Sequence, residues 1–426
     1  MVSRKHSTST VRFIPLTYSP SDSQSSALRL ILSVFPDWEK TDGKIEFVRF
    51  TDGITNTLLK AMNVRPGLTK QEIDDSAVLL RAYGKGTDLI IDRERETQNH
   101  ELLMGHGLAP QLLARFNNGM VYRYISGSVT APGDLRNRDV YTAVARRLAQ
   151  WHAVVPCLPN TRVPVEEEAS EAMEAMVPTE RRDPEVQRKI DGVAPGKVAP
   201  NVWTVTQKWI YALPTATEAQ RARQAELQTE LERTIAELSD RPGLGKNSLV
   251  FAHCDLLSGN VIVEPTAKGE ADGAAAKAPV PSVSFIDYEY AVPSPAAFDI
   301  ANHFAEWGGF DCDFSVLPTR SQRRDFICEY VASYFAHLNV AKTSEELDSE
   351  AQALFESVDL FRGVPGLYWG IWAIIQSVIS QIDFDYASYA EVRLGEYYAW
   401  RGETEGTREK KGEEMPLRER RWAQEE

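Results

Sequence analysis

Leu249-Val-Phe-Ala-His253-Cys254-Asp255-Leu-Leu-Ser-Gly-Asn260-Val-Ile-Val263 is the stretch on which the reading of this chain turns, together with Val283-Ser-Phe-Ile-Asp287-Tyr-Glu-Tyr290 further on. Two apolar runs of strand length flank a His-x-Asp-x4-Asn loop, and a third apolar run ends in an aspartate. The loop offers a carboxylate at 255 and an amide oxygen at 260, and the third run adds a carboxylate at 287. A lone aspartate beside a strand is most often a cap or a surface charge. Three oxygen-bearing side chains at the ends of three strand-like runs are a different matter. Hard oxygen ligands in small number, completed by phosphates and water, are what magnesium prefers.

This arrangement is the one protein kinases use to hold metal-bound ATP over a hydroxyl, and it points to phosphoryl transfer. That reaction asks little covalent chemistry of the protein: divalent metal must be held, phosphate oxygens neutralised and the departing hydroxyl proton accepted. Asp255 is placed to take the proton, and Asn260 and Asp287 are the expected ligands of Mg2+. His253 invites a catalytic role, but a histidine in such a loop more often packs and hydrogen-bonds to hold its shape, and His152 and His303 are read the same way. No Gly-x4-Gly-Lys phosphate loop occurs. Its expected substitute is the turn Thr51-Asp-Gly53-Ile-Thr55-Asn56, where Gly53 allows close backbone approach and Thr55 and Asn56 can bond phosphate oxygens. Arg81, in a strand-like run, is the expected phosphate cation, with Glu96 on the following helix as its partner. A plain surface pair of this kind contributes only about 0 to 1 kcal/mol, so its purpose would be positioning.

Composition sets the wider limits. The chain has 426 residues, 43% hydrophobic and 9% aromatic, enough for a substantial core. No apolar run approaches the roughly 18 to 20 residues that span a bilayer, so the chain is not expected to be membrane-integral. Met1-Val-Ser-Arg-Lys-His-Ser-Thr-Ser-Thr10 has no apolar core behind its basic residues and does not read as a secretory signal, so a cytoplasmic location is expected. The four cysteines, Cys157, Cys254, Cys312 and Cys328, lack Cys-x-x-Cys spacing and read as ordinary thiols. A formal net charge of -14 argues against a nucleic-acid partner and is compatible with a small cationic substrate.

Order along the chain suggests an α+β fold of two lobes. A helix is expected over Ala27–Phe35, strands over Ile45–Phe50, Thr57–Met62, Ser76–Tyr83 and Gly119–Ile125, and a helix over Asp92–Gly105. We therefore expect a nucleotide-binding sheet lobe over 1–125. Beyond it the pattern turns helical over 126–401, with a helix at Asp139–His152 capped by Asp139 and others at Asn201–Trp209 and Glu218–Ser239. Val165–Pro200 reads as a surface insertion and Glu264–Pro281 as a low-complexity hairpin loop. The charged tail 402–426 is expected to be disordered, apart from a short docked turn over Pro416–Trp422.

The residues then resemble the choline/ethanolamine kinase family, which shares a kinase-like fold with aminoglycoside phosphotransferases. The resemblance runs from about Phe47 to about Tyr398 through Phe50-Thr-Asp-Gly-Ile-Thr-Asn56, Leu80-Arg-Ala-Tyr-Gly84, Ile91-Asp-Arg-Glu-Arg-Glu96, Gly107-Leu-Ala-Pro110, Phe251-Ala-His-Cys-Asp-Leu-Leu-Ser-Gly-Asn260, Ile286-Asp-Tyr-Glu-Tyr-Ala291 and Phe298-Asp-Ile-Ala-Asn-His-Phe-Ala-Glu306-Trp307. The first of these and Asp383-Phe-Asp-Tyr386 look more like ethanolamine kinases than choline kinases; Cys254 stands where the family usually has asparagine. The resemblance implies a bilobal protein-kinase-like α+β fold, ATP as co-substrate, and a small amino alcohol held by Glu306, Trp369, Trp372, Tyr386 and Tyr389. An ammonium headgroup suits ring faces, at about 0.5 to 2 kcal/mol each, plus a carboxylate. It implies phosphorylation of ethanolamine to phosphoethanolamine, the first step towards phosphatidylethanolamine, with choline as the rival or second substrate. A homodimer is also implied, though no sequence feature demands it. An aminoglycoside or protein kinase fits less well: Tyr288-Glu289 follows Asp287 where a protein kinase has Phe-Gly. A non-catalytic pseudokinase is opposed by the intact Asp255, Asn260 and Asp287.

Overall fold

The computed structural model describes residues 11–50, 56–84, 87, 90–157, 200–246, 249–265, 281–380 and 382–426. The expected phosphate residues Gly53 and Thr55, most of the Val165–Pro200 insertion and nearly all of the Glu264–Pro281 loop lie outside them. The chain forms two compact units, Met1–Ser128 with Glu264–Ala267 and Ser284–Glu289, and Val129–Val263 with Lys268–Val283 and Tyr290–Glu426. The Asp287 segment thus groups with the first unit, not with the helical lobe expected over 126–401. The reason lies in its charges: Asp287 and Glu289 are both ion-paired to Arg81.

The first unit is built on a six-stranded sheet of order β1-β5-β6-β4-β3-β2, with β1 at Arg12–Ile14, β2 at Lys44–Phe50, β3 at Asn56–Val64, β4 at Val78–Tyr83, β5 at Leu112–Phe116 and β6 at Gly119–Arg123. All pairings are antiparallel except β1 with β5. Alternation along β4 sorts its side chains. Val78, Leu80 and Ala82 enter the core with Leu30 and Ile31 of the helix Ser23–Val34, while Leu79 and Tyr83 face the other way, into the cluster of Leu112, Met120 and Tyr122. Arg81 belongs to that second face and so meets the helix Arg93–Gly105, whose N-cap Asp92 accepts from the amides of Glu94 and Arg95. A Cβ at Gly119 would lie 2.1 Å from the Arg81 carbonyl, so the β5–β6 turn needs glycine there. Strands β1 and β5 and the helix Lys70–Ser76 go beyond the sequence expectation; the last occupies polar sequence and begins with a Thr69–Glu72 capping box.

The second unit is mainly helical. Arg138–Val154 packs on Arg320–His337, Val202–Tyr211 on Glu218–Leu238, and Val364–Ile379 on Tyr386–Thr404. Its capping is explicit in sequence: Thr217, Thr319 and Thr343 each form a capping box with the residue three further on. The first long helix corrects one expectation, since its cap is Asn137, which accepts from the Asp139 amide, and Asp139 lies inside the first turn. The tail corrects another. Helices Thr407–Lys411 and Leu417–Ala423 occupy the segment expected to be disordered, and Arg418 and Trp422 are 1% and 4% exposed. Trp422 donates to Asp359 at 2.7 Å and lies under the Arg323 guanidinium, 3.9 Å from its ring centre.

Candidate active site

The quoted loop begins where the strand Val250–Ala252 pairs antiparallel with Val292–Ser294. Cys254, next to Asp255, has φ of 61°, a left-handed conformation that costs a non-glycine residue free energy and persists only where surroundings impose it. The surroundings are a helix, Ala296–Ala305, buried at every residue yet carrying Asp299, Asn302 and His303 at helical spacing. Asp299 accepts from the His253 amide at 2.9 Å and from the Cys254 amide at 2.8 Å. Asn302 donates to the Cys254 carbonyl at 2.9 Å, and His303 Nδ1 lies 2.8 Å from the Leu256 carbonyl. One helical face therefore grips three successive parts of the loop backbone.

His152 completes this support. Its Nε2 lies 2.9 Å from Asp299 Oδ2, so that nitrogen carries a proton, and Nδ1 lies 2.7 Å from the Tyr330 hydroxyl. Burial favours a neutral Asp299, but the bond from His152 and the loop amides hold its carboxyl below the usual range. His253 is fully buried, and its Nδ1 accepts from the Asp255 amide at 3.3 Å, a structural role. Asp255 is 8% exposed, and Asn260 donates from Nδ2 to its carbonyl at 2.7 Å and to Oδ2 at 3.1 Å. Both partners are acceptors, which fixes the amide orientation and leaves Oδ1 as the oxygen that the expected metal ligand has to offer.

In the same unit the five expected substrate residues are linked by contact. Trp369 and Trp372 meet edge to face at 5.4 Å between ring centres, and Trp372 meets Tyr386 at 5.7 Å. Phe384 joins Tyr386 to Tyr389, at 4.8 and 5.6 Å. Trp369 donates to Asn302 Oδ1 at 2.7 Å and Trp372 to the Tyr290 hydroxyl at 2.8 Å, which fixes both indoles. Glu306, 4% exposed, lies 3.2 Å from Arg393 Nη2, and that guanidinium stands 5.8 Å from the Tyr389 ring centre. Arg393 had no place in the sequence argument. Its signal was only a cation one turn beyond Tyr389.

The first unit holds the other candidates. Asn56 opens β3 and donates to Glu289 at 3.0 Å. Arg81 pairs with Glu96 at 3.2 Å, and its Nη2 also lies 2.6 Å from Asp287 and 2.5 Å from Glu289. Arg93 adds a second cation, 2.9 Å from Glu96 and 3.0 Å from Glu289. Burial works against the Arg81 charge, yet Asp287, Glu289 and Glu96 hold its pKa well above the ordinary value. Burial also pushes the Glu96 and Asp287 carboxyls up, with Arg81 opposing it in both. The guanidinium of Arg81 meets the expected partner Glu96 and is engaged by Asp287 and Glu289 as well. Asp287 has φ of 66°, and its side chain is a quarter exposed. Glu289, two residues on along the same strand exit, was missed because one acidic residue there sufficed for the motif. Among the described residues no group of three or more His, Cys, Asp or Glu side chains is poised to hold a metal, so the fit to magnesium rests on oxygen donors offered singly.

Known proteins resemble this chain in sequence and in fold. A family model described as choline/ethanolamine kinase matches residues 47–398. The chain is 30% identical over 375 residues to a probable ethanolamine kinase of Arabidopsis thaliana, covering 87% of this chain and 83% of that one. It is 28% identical over 389 residues to ethanolamine kinase 2 of Homo sapiens, covering 91% and 84%. Among solved structures, an ethanolamine kinase of Plasmodium vivax superposes with a TM-score of 0.61 at 22% identity, covering 89% of this chain and 90% of that one. A choline kinase of Cryptosporidium parvum does so with 0.57 at 19%, covering 89% and 97%. These two likenesses establish a shared fold.

Proposed function

The chain belongs to the choline/ethanolamine kinase family, and from that premise we propose that it transfers the γ-phosphoryl group of ATP to the hydroxyl of ethanolamine, giving phosphoethanolamine, ADP and a proton. The observation that carries this reading is the path from Trp369 through Asn302 to the Cys254 carbonyl. It ties the aromatic wall suited to an ammonium group to the residue that precedes Asp255. A substrate held by that wall has its hydroxyl referred to the same loop that carries the proposed base.

In this mechanism Asp255 orients the hydroxyl and receives its proton as the O–P bond forms, while the bond from the γ-phosphorus to the bridging oxygen breaks and ADP leaves. Asn260 holds the Asp255 carboxylate in place through Nδ2, and the remaining Oδ1 suits a hard cation. Glu306 supplies the counter-charge for the substrate ammonium and the rings of Trp369, Trp372, Tyr386 and Tyr389 its walls. In the first unit, the nucleotide side by this reading, Arg81, Arg93 and Glu96 fix Asp287, whose carboxylate likewise suits magnesium; Gly53, Thr55 and Asn56 are the proposed phosphate turn. Magnesium, when bound with ATP, would neutralise the charge that develops on the phosphate oxygens. A cytoplasmic enzyme acting as a homodimer completes the proposal. In the described residues no helix is long and apolar enough to cross a membrane.

Asp255→Ala tests the reading. Removal of a general base is expected to lower kcat by roughly 10²- to 10⁴-fold while ATP binding is kept. Magnesium-dependent ADP release should be measured with ethanolamine, its methylated derivatives and choline, beside nucleotide titration of the variant. Near-normal turnover in Asp255→Ala sinks the assignment of the base. A larger kcat/KM for choline than for ethanolamine sinks the choice of substrate, and equal values make the enzyme dual.

A further inference from the structure

The tail helix Leu417–Ala423 lies beyond the stretch that the family model matches, yet it carries one of the most deeply buried charges of the second unit, Arg418, which is 1% exposed. A buried guanidinium persists only where anions and acceptors satisfy it. Arg418 donates from Nε to Glu396 Oε2 at 3.1 Å, from Nη1 to Glu419 Oε1 at 2.7 Å, and from Nη2 to the Arg362 carbonyl. Glu396 in turn lies 3.1 Å from Arg393 Nε through its other oxygen. Arg393 reaches Glu306 at 3.2 Å. The result is an alternating row, Glu306, Arg393, Glu396, Arg418, in which every member is at least 95% buried.

We infer that Arg418 is a positioning residue for the amino-alcohol site: by taking a share of Glu396 it leaves Arg393 able to face Glu306. The inference rests on the reading that Glu306 meets the substrate ammonium. Without the Arg418 charge, Glu396 has Arg393 as its cation and draws it away from Glu306. A buried carboxylate that loses its cation gains a proton, and a neutral acid attracts an ammonium group weakly. Burial already pushes the Glu306 carboxyl up, and Arg393 opposes that. The helix that bears Arg418 is itself fixed. Arg323 donates to the Trp422 carbonyl at 2.9 Å, and the amides of Arg320 and Ser321 donate to the carbonyls of Gln424 and Glu425 at 2.9 and 3.0 Å.

The test uses the full chain with ethanolamine and ATP varied in turn. Arg418→Gln is expected to raise KM for ethanolamine roughly tenfold, as Glu306 gives up its charge, with kcat and KM for ATP within about twofold. Arg418→Lys should recover most of the loss. Should Arg418→Gln fail to fold, the paired variant Arg418→Met with Glu396→Gln removes both charges together, leaves Arg393 to Glu306, and should bring KM for ethanolamine back to within about threefold of the parent. Glu306→Gln serves as the control. If it leaves KM for ethanolamine unchanged, the reading of Glu306 itself fails. If it raises KM while Arg418→Gln does not, or while Arg418→Gln lowers kcat and alters both KM values alike, the role of Arg418 is overturned and that of Glu306 stands. A KM in the paired variant as high as in Glu306→Gln also overturns it.

Discussion

Both carboxylate oxygens of Asp299 receive bonds from backbone amides of the loop, and one of them also meets His152. Replacing Asp299 by alanine leaves the His253 and Cys254 amides and the His152 ring without that acceptor in a fully buried place. Stability should fall by about 3 to 5 kcal/mol, and kcat with it because Asp255 follows directly; thermal melting beside ADP release checks both. Asp299→Asn keeps one acceptor oxygen and should lose less. None of this was legible in advance. The sequence showed Asp299 as part of a motif, and only the complete burial of its helix reveals that a carboxylate there must have partners. Cys254 carries a second expectation. It is buried and its thiol pKa is pushed well up by burial, whereas Cys328 is exposed. A thiol reagent should label Cys328 in the native protein and Cys254 only after unfolding, as peptide mapping would show; rapid native labelling of Cys254 contradicts the packed loop.

At the level of elements, the helices Val364–Ile379 and Tyr386–Thr404 approach closely because Gly366 and Gly370 lie on the facing side. A Cβ at Gly366 would come within 2.5 Å of the Arg393 carbonyl, and one at Gly370 within 2.6 Å of Leu394 Cγ. Gly370→Ala should destabilise by about 1 to 3 kcal/mol through overpacking and, by displacing Trp369 and Trp372, raise KM for ethanolamine more than KM for ATP. Equal melting temperatures for the two proteins would refute it. The helix Ala296–Ala305 adds a pH dependence. Burial lowers the His303 pKa to about 4, against an unfolded value near 6.5. The stability this histidine contributes is present above pH 6.5 and is lost as the pH falls towards 4, because the unfolded chain takes up the proton first. Denaturation at pH 7.5 and 5 should show a smaller loss in His303→Gln than in the parent. Strongly patterned elements were legible: β2, β3, β4 and β6 and the helices at 93–105 and 202–211 lie where periodicity and caps set them. β1 is too short for a pattern to register, and Lys70–Ser76 is a polar helix announced only by its capping box.

On the scale of the whole molecule, the net charge of -14 favours approach of a cation from solution. The kcat/KM for ethanolamine should therefore fall by a factor of roughly two to five as ionic strength rises from about 0.02 to about 0.2 M, with kcat unchanged. A flat profile would show that local charges outweigh the global field. The division into a sheet unit and a helical unit was legible from the change of period near residue 126. The tail was not: its density of charge resembles a solvated segment, and only the row from Arg418 to Glu306 reveals that some of those charges are interior. One feature of the sheet bears on a different property, colloidal behaviour. β2 lies at an edge, and an edge strand is a template for pairing with another chain. Its outward residues, with Val48 at 45% exposure, are interrupted by Lys44, Glu46 and Arg49, the first two ion-paired at 2.9 Å. These charges guard the edge, so replacing Lys44, Glu46 and Arg49 together by threonine should leave turnover intact and make the protein precipitate at concentrations the parent tolerates.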